Sequence, residues 1–225
     1  MPIIVSFVSQ KGGVGKSTLA RALLAVAAHS MKARLADLDP RQGSVVAWER
    51  ARQRNAAGPP CEVVPYATVG EALAASGDVD LLILDAPAGT GRATLEITRH
   101  SHLVVQPTGP SADDLVPTIL TFHELVKEGV PKARLAVAIC RVLSAGEAAT
   151  VRAYVQDAGY EVLAGAIAER SAYREAQNRG QAITETKSAK LNEQADALME
   201  ALLDKVMHEI KRLKGEERRK RKEGP

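Results

Sequence analysis

Short apolar runs recur along the chain at residues 3–8, 34–38, 62–66, 81–84, 103–106, 135–139 and 162–167. Segments of helical length separate most of them. The clearest covers residues 17–31, where Leu19, Leu23, Leu24, Val26 and Ala27 supply one apolar face; residues 111–127 and 147–157 are similar in length. Such alternation predicts a single-domain α/β fold, a mostly parallel sheet flanked by helices and joined by right-handed crossovers. In open sheets of this kind ligands bind beyond the carboxyl ends of the strands, so motifs there carry extra weight. After Ser188 the pattern becomes one long helix, with Leu191, Ala195, Leu198, Leu202, Val206, Ile210 and Leu213 forming a stripe that should dock on the domain. Residues beyond Leu213 offer no apolar partners. The expected division is therefore a domain over 1–213 and a basic, frayed or disordered tail over 214–225.

Composition narrows the class. With 225 residues, 45% of them apolar, the chain can bury one substantial core. Trp48 is the only tryptophan, so Val, Ile, Leu and Ala must build the interior, as in a parallel sheet covered by helices. Cys61 and Cys140 lie far apart without a CxxC or Cys/His neighbour, which reads as buried, reduced thiols of a cytoplasmic protein and argues against a metal-cluster carrier. The first residues lack the basic region and cleavage site of an export signal, and no apolar stretch approaches about 18 residues, so neither export nor stable membrane insertion is expected. The formal charge is only +3, yet residues 205–225 hold nine Lys/Arg against four Glu, so the basic character is local.

The strongest chemical signal is Lys11-Gly12-Gly13-Val14-Gly15-Lys16-Ser17-Thr18, a glycine-rich loop between the first strand and the first helix. Glycines let successive N–H groups turn inward, and a helix N-terminus favours anions, which suits a phosphate cradle. Lys16 would neutralise the β- and γ-phosphates, Ser17 would ligate Mg²⁺, and Thr18 would lie near the α-phosphate. The pattern G-x-x-x-x-G-K-[ST] fails because Gln10 stands where its first glycine belongs; the variant K-G-G-x-G-K-[ST] matches instead. Asp37 and Asp39 end the second strand, and Asp85 ends the apolar run 81–84; acids at these strand ends suit Mg²⁺ and water handling beside a phosphate loop.

Lys11 is left without a task, since Lys16 already serves the phosphates. Here the chain resembles the ParA/MinD family of deviant Walker-type ATPases, P-loop NTPases in which an extra lysine reaches across a dimer interface to the partner subunit's nucleotide. The resemblance implies an ATP- and Mg²⁺-dependent homodimer with slow hydrolysis, in which Lys11 acts in trans, Asp39 positions or activates the attacking water, and Asp37 and Asp85 support the metal. Residues 37–43 resemble the family's D-x-D-P-Q segment, with Arg41 inserted before Gln42. Residues 107–114 resemble its P-x-x-P-S-x-x-D segment, which puts Pro107 near the base, and Arg141 occupies the place of an adenine-proximal residue.

Motif order and residues 166–189 look closest to the small ParA/ParF-type partition ATPases. That likeness implies non-specific DNA binding by the ATP-bound dimer, with Arg170, Arg174, Arg179, Lys187, Lys190, Lys211 and Arg212 as candidate contacts, nucleoid association, and a ParB-like adaptor or cargo protein that stimulates hydrolysis. The cargo is a plasmid, a chromosome segment, or a protein assembly such as a chemoreceptor cluster or carboxysome. A charged tail that only maintains solubility and a MinD-like membrane cycle are the competing readings. The last helix is amphipathic, as a membrane cycle requires, but has no Phe or Trp on its apolar face.

Overall fold

The computed structural model describes residues 2–89 and 91–222, with the backbone alone for Lys214 and residues 216–222. Strands β1 (Ile3–Phe7), β2 (Ala33–Asp37), β3 (Glu62–Pro65), β4 (Leu81–Asp85), β5 (Leu103–Thr108), β6 (Leu135–Val142) and β7 (Glu161–Val162) form a sheet in the order β3-β2-β4-β1-β5-β6-β7. A short β8 (Ile167–Ala168) also pairs with β6, and all these pairings are parallel. The helices are α1 (Lys16–Ala27), α2 (Ser44–Arg54), α3 (Val69–Ala74), α4 (Arg92–His100), α5 (Ala112–Lys127), α6 (Ala145–Asp157), α7 (Ser171–Asn178) and α8 (Ala189–Lys222).

The central strands are apolar at nearly every position because both faces of the sheet are covered. Their two-residue period deals alternate side chains to opposite sides. Val5, Phe7, Leu81 and Ile83 join one core with Leu19 and Leu23 of α1, Trp48 of α2 and Leu198, Leu202 and Val206 of α8. Ile4, Leu82 and Leu84 join the other with Ile97 of α4, Ile119 and Phe122 of α5 and Val151 of α6.

The expected strand over 162–167 is instead two short strands. Gly165 turns the chain between them at φ 81°, and a Cβ there would meet the Leu198 backbone nitrogen of α8 at 2.9 Å. Helix α6 begins two residues before the expected start because Ser144 caps it: its hydroxyl accepts from Glu147 N at 3.2 Å while Glu147 Oε2 accepts from Leu143 N. Helices α2, α3, α4 and α7 were not legible in the apolar pattern. Helix α8 departs from the expected tail, since its backbone stays helical through Lys222. Residues 214–222 contain no proline and only one glycine among Lys, Arg and Glu, all good helix formers. The end of the expected tail, residues 223–225, lies outside the described residues.

Candidate functional site

Parallel registration brings the chemistry together. Phe7 and Asp37 both lie in register with Asp85, so the phosphate loop leaves β1 beside two strands that end in carboxylates. The loop enters α1 through Gly15, its N-cap, at φ 118°, with no side-chain cap over the first turn. A Cβ on Gly15 would be strained at that φ and would sit 3.4 Å from Cys140 Sγ, so glycine is required. The uncapped N–H groups and the helix dipole then face an open cleft lined by Gly12, Gly13, Gly15, Lys16, Ser17, Thr18, Asp39, Gln42, Ser44 and Asp85.

Lys16 is 8% exposed, and its Nζ donates to Lys11 O at 3.2 Å. Burial lowers its pKa, while the charges of Asp85 and Asp39 pull the other way. Burial pushes the Asp85 carboxyl up to about 6, opposed by a Ser17 hydroxyl hydrogen bond and reinforced by the Asp37 charge. Asp37 is likewise raised, mainly by burial, and the backbone N–H of Asp39 offsets part of the rise. Asp37 Oδ2 and Asp85 Oδ1 are buried without hydrogen-bond partners. Two orphaned carboxylate oxygens near a serine hydroxyl and a buried lysine fit a hydrated divalent cation and a polyphosphate.

The two acids of residues 37–39 have different positions. Asp37 closes β2 and is 1% exposed, with Oδ1 accepting from Asp39 N at 3.0 Å, whereas Asp39 has left the strand and lines the cleft. Ser17 and Asp85 line the cleft directly, whereas Asp37 does not and lies in register beside Asp85 on the neighbouring strand.

On the other side of the loop, Gly13, Val14, Gly15 and Thr18 share a second open cleft with Arg141, Glu169, Arg170, Tyr173, Arg174 and Gln177. Gly13, Gly15 and Thr18 border both, so the two are arms of one site. Arg141 sits at φ 61°, a left-handed conformation uncommon outside glycine, and its Nε bonds Glu169 Oε2 at 3.2 Å. Pro107 does not reach the cleft surface; it is buried in β5 beneath Gly15.

Lys11 is half-exposed, and its Nζ pairs with Asp114 Oδ1 of α5 at 3.4 Å. The candidate DNA contacts do not form one patch. Arg170 and Arg174 lie at the second cleft, where Arg174 pairs with Glu169 at 2.5 Å and Arg170 donates to the Glu169 carbonyl. Arg179, Lys187 and Lys190 are exposed nearby in sequence, but Lys211 and Arg212 lie about 30 Å from Lys190 along α8 at helical rise. Sequence reading missed Glu169 and Gln177, because each gains its role only from a partner brought in by the fold; Asp114 was legible as the last residue of the 107–114 segment, but its pairing with Lys11 was not.

These features define a phosphate-loop nucleotide-binding domain on a parallel sheet. Residues 5–183 match the CobQ/CobB/MinD/ParA nucleotide binding domain, and the chain belongs to that family. It is 30% identical to the maintenance of carboxysome distribution protein A of Gloeobacter kilaueensis over 159 residues, covering 70% of this chain and 73% of that protein. Its fold is similar to MinD in the Aquifex aeolicus MinC:MinD cell division complex, at TM-score 0.73 and 17% identity, covering 90% of this chain and 96% of that one. It is also similar to a putative plasmid partition protein of Borrelia burgdorferi B31 bound to AMPPNP, at TM-score 0.72 and 17% identity, covering 91% and 100% of the two chains. Among the described residues, no helix is long and apolar enough to cross a membrane.

Proposed function

We propose that the chain is an ATP-hydrolysing switch that positions a cargo: it dimerises around ATP, binds DNA non-specifically in that state, and is released by partner-stimulated hydrolysis. The observation that carries this reading is the presence of two lysines in one loop with separate placements. Lys16 is buried in the cleft, whereas Lys11 is half-exposed and pairs with Asp114, a contact it would exchange for a second subunit's nucleotide. Bound Mg²⁺ supplies positive charge to the β- and γ-phosphates. Ser17 and Asp85 would hold it, Lys16 would bind the phosphates, and Asp39 would orient the attacking water. The second cleft would take the nucleoside, bordered by Arg141 and Glu169.

The 30% identity to a carboxysome distribution protein favours a protein assembly as a second reading for the cargo, with DNA as the track. Retention on non-specific DNA tests the switch. The wild type should be held with ATP and Mg²⁺ and washed off by moderate salt, whereas Lys16→Ala should flow through. Retention indifferent to nucleotide would refute the reading.

A further inference from the structure

Helix α7 meets the phosphate-loop helix through one side chain. The Gln177 amide oxygen accepts from Thr18 Oγ1 at 3.2 Å and from Arg21 Nη1 at 2.9 Å, while its amide nitrogen donates to Tyr173 O within α7. Thr18 borders both arms of the nucleotide cleft. Arg21 is one turn further along α1, with its Nε buried and unpartnered. Gln177 thus bridges the beginning of α1 to a short helix preceded by Arg170, carrying Arg174 and followed by Arg179.

A hydroxyl has a single proton to donate, and an ionised phosphate oxygen only accepts. With no phosphate at the start of α1, the Thr18 proton is committed to Gln177. A phosphate seated there is served by that hydroxyl only if the proton leaves Gln177, and α7 then keeps one of its two side-chain bonds to α1.

We propose that Gln177 senses an occupied phosphate site through Thr18 and relays it to α7 as a loosening of that helix. The trigger is the phosphate nearest Thr18, which ADP and ATP share, so the relay reports occupancy and not hydrolysis. Its consequence for DNA rests on the reading above; the relay itself rests only on nucleotide binding.

Hydrogen–deuterium exchange over residues 171–178 tests it, with bound nucleotide verified by a fluorescent analogue. In the wild type, ATP or ADP with Mg²⁺ should speed exchange there about threefold to tenfold, the range that one net hydrogen bond allows. Gln177→Met should exchange fast without nucleotide and equally fast at a nucleotide concentration raised until the fluorescent analogue shows the site filled. Thr18→Val cuts the same bond from the other side and should also exchange fast without nucleotide, which covers the case of a poorly folded Gln177→Met. Unchanged exchange in the nucleotide-saturated wild type, a full nucleotide response in Gln177→Met, or a response to ATP but not ADP would each overturn the relay. If α7 responds but DNA retention never does, the relay stands and the DNA reading falls.

Discussion

Lys11 Nζ lies 3.4 Å from Asp114 Oδ1, an ion pair between the phosphate loop and a helix 103 residues further along the chain. On the proposed reading, the lysine that serves a second subunit is held in the single chain by Asp114. Lys11 is half-exposed and Asp114 largely buried, so the pair is partly screened and worth about 1 kcal/mol, enough to bias the lysine without locking it. Asp114→Asn should therefore tighten ATP-dependent dimerisation by up to about 25-fold, about fivefold for each of the two symmetric lysines. Lys11→Ala should abolish it. Sedimentation with ATP and Mg²⁺ measures both, and a Lys11→Ala dimer of wild-type affinity would sink the trans role.

Lys16 is almost wholly enclosed and lines the cleft at the start of α1, so Lys16→Ala removes the charge that would meet the phosphates there. Nucleotide affinity should fall about tenfold to a hundredfold. Titration with a fluorescent ATP analogue reads this directly. Asp39→Ala should instead bind nucleotide near-normally and accumulate the ATP state, seen as phosphate release slowed while nucleotide stays bound.

Asp85 gives a pH signature. Its folded pKa is raised to about 6, chiefly by burial, above an unfolded value of about 3.9. Between these values the folded state holds more protons than the unfolded one, so this group's contribution to stability falls as pH rises from about 4 to about 6. Asp85→Asn removes that contribution. The melting temperature of Asp85→Asn minus that of wild type should grow across this window in nucleotide-free protein. A difference independent of pH would show that Asp85 is not desolvated as described. Addition of Mg²⁺ and ATP should reverse the ranking above pH 6, because only the wild-type carboxylate supports the metal.

Arg52 on α2 is 2% exposed, grips both oxygens of Glu185 at 2.6 and 2.7 Å, and lies 5.4 Å from the Trp48 ring. Removing one partner leaves the other charge in low dielectric. Arg52→Leu should cost about 3–5 kcal/mol, and combining it with Glu185→Gln should cost clearly less than the sum of the two single losses. Urea unfolding of the single and double variants measures the coupling, and additive losses would rule out a cooperative pair.

Much of the fold was legible because its signals are local. Apolar strands with helix-length spacers identified the sheet, and the stripe from Leu191 to Leu213 identified α8. The phosphate loop was readable from glycine spacing alone, and Asp39 and Asp85 from their places after apolar strands. Helix α2 escaped notice because only Val45, Trp48, Ala51 and Arg52 are buried in it, and the last is an arginine whose burial depends on Glu185. The strand expected over 162–167 failed because Gly165 answers to the backbone of α8, which no local pattern reports.

Covalent geometry gives side chains a period of two in strands and about 3.6 in helices, and lets glycine occupy left-handed backbone. On that basis the sheet class, the glycine-rich loop at the start of α1 and the acids that end β2 and β4 follow from local patterns. Which groups then touch is a matter of strand order and helix packing. Phe7, Asp85 and Asp37 become neighbours only because β4 lies between β1 and β2. Lys11 with Asp114, Thr18 with Gln177 and Arg52 with Glu185 meet across 103, 159 and 133 residues. Tertiary structure alone decided those pairs and the division of the basic residues between α7 and the far end of α8, because a contact at such separation depends on how the whole chain folds back on itself.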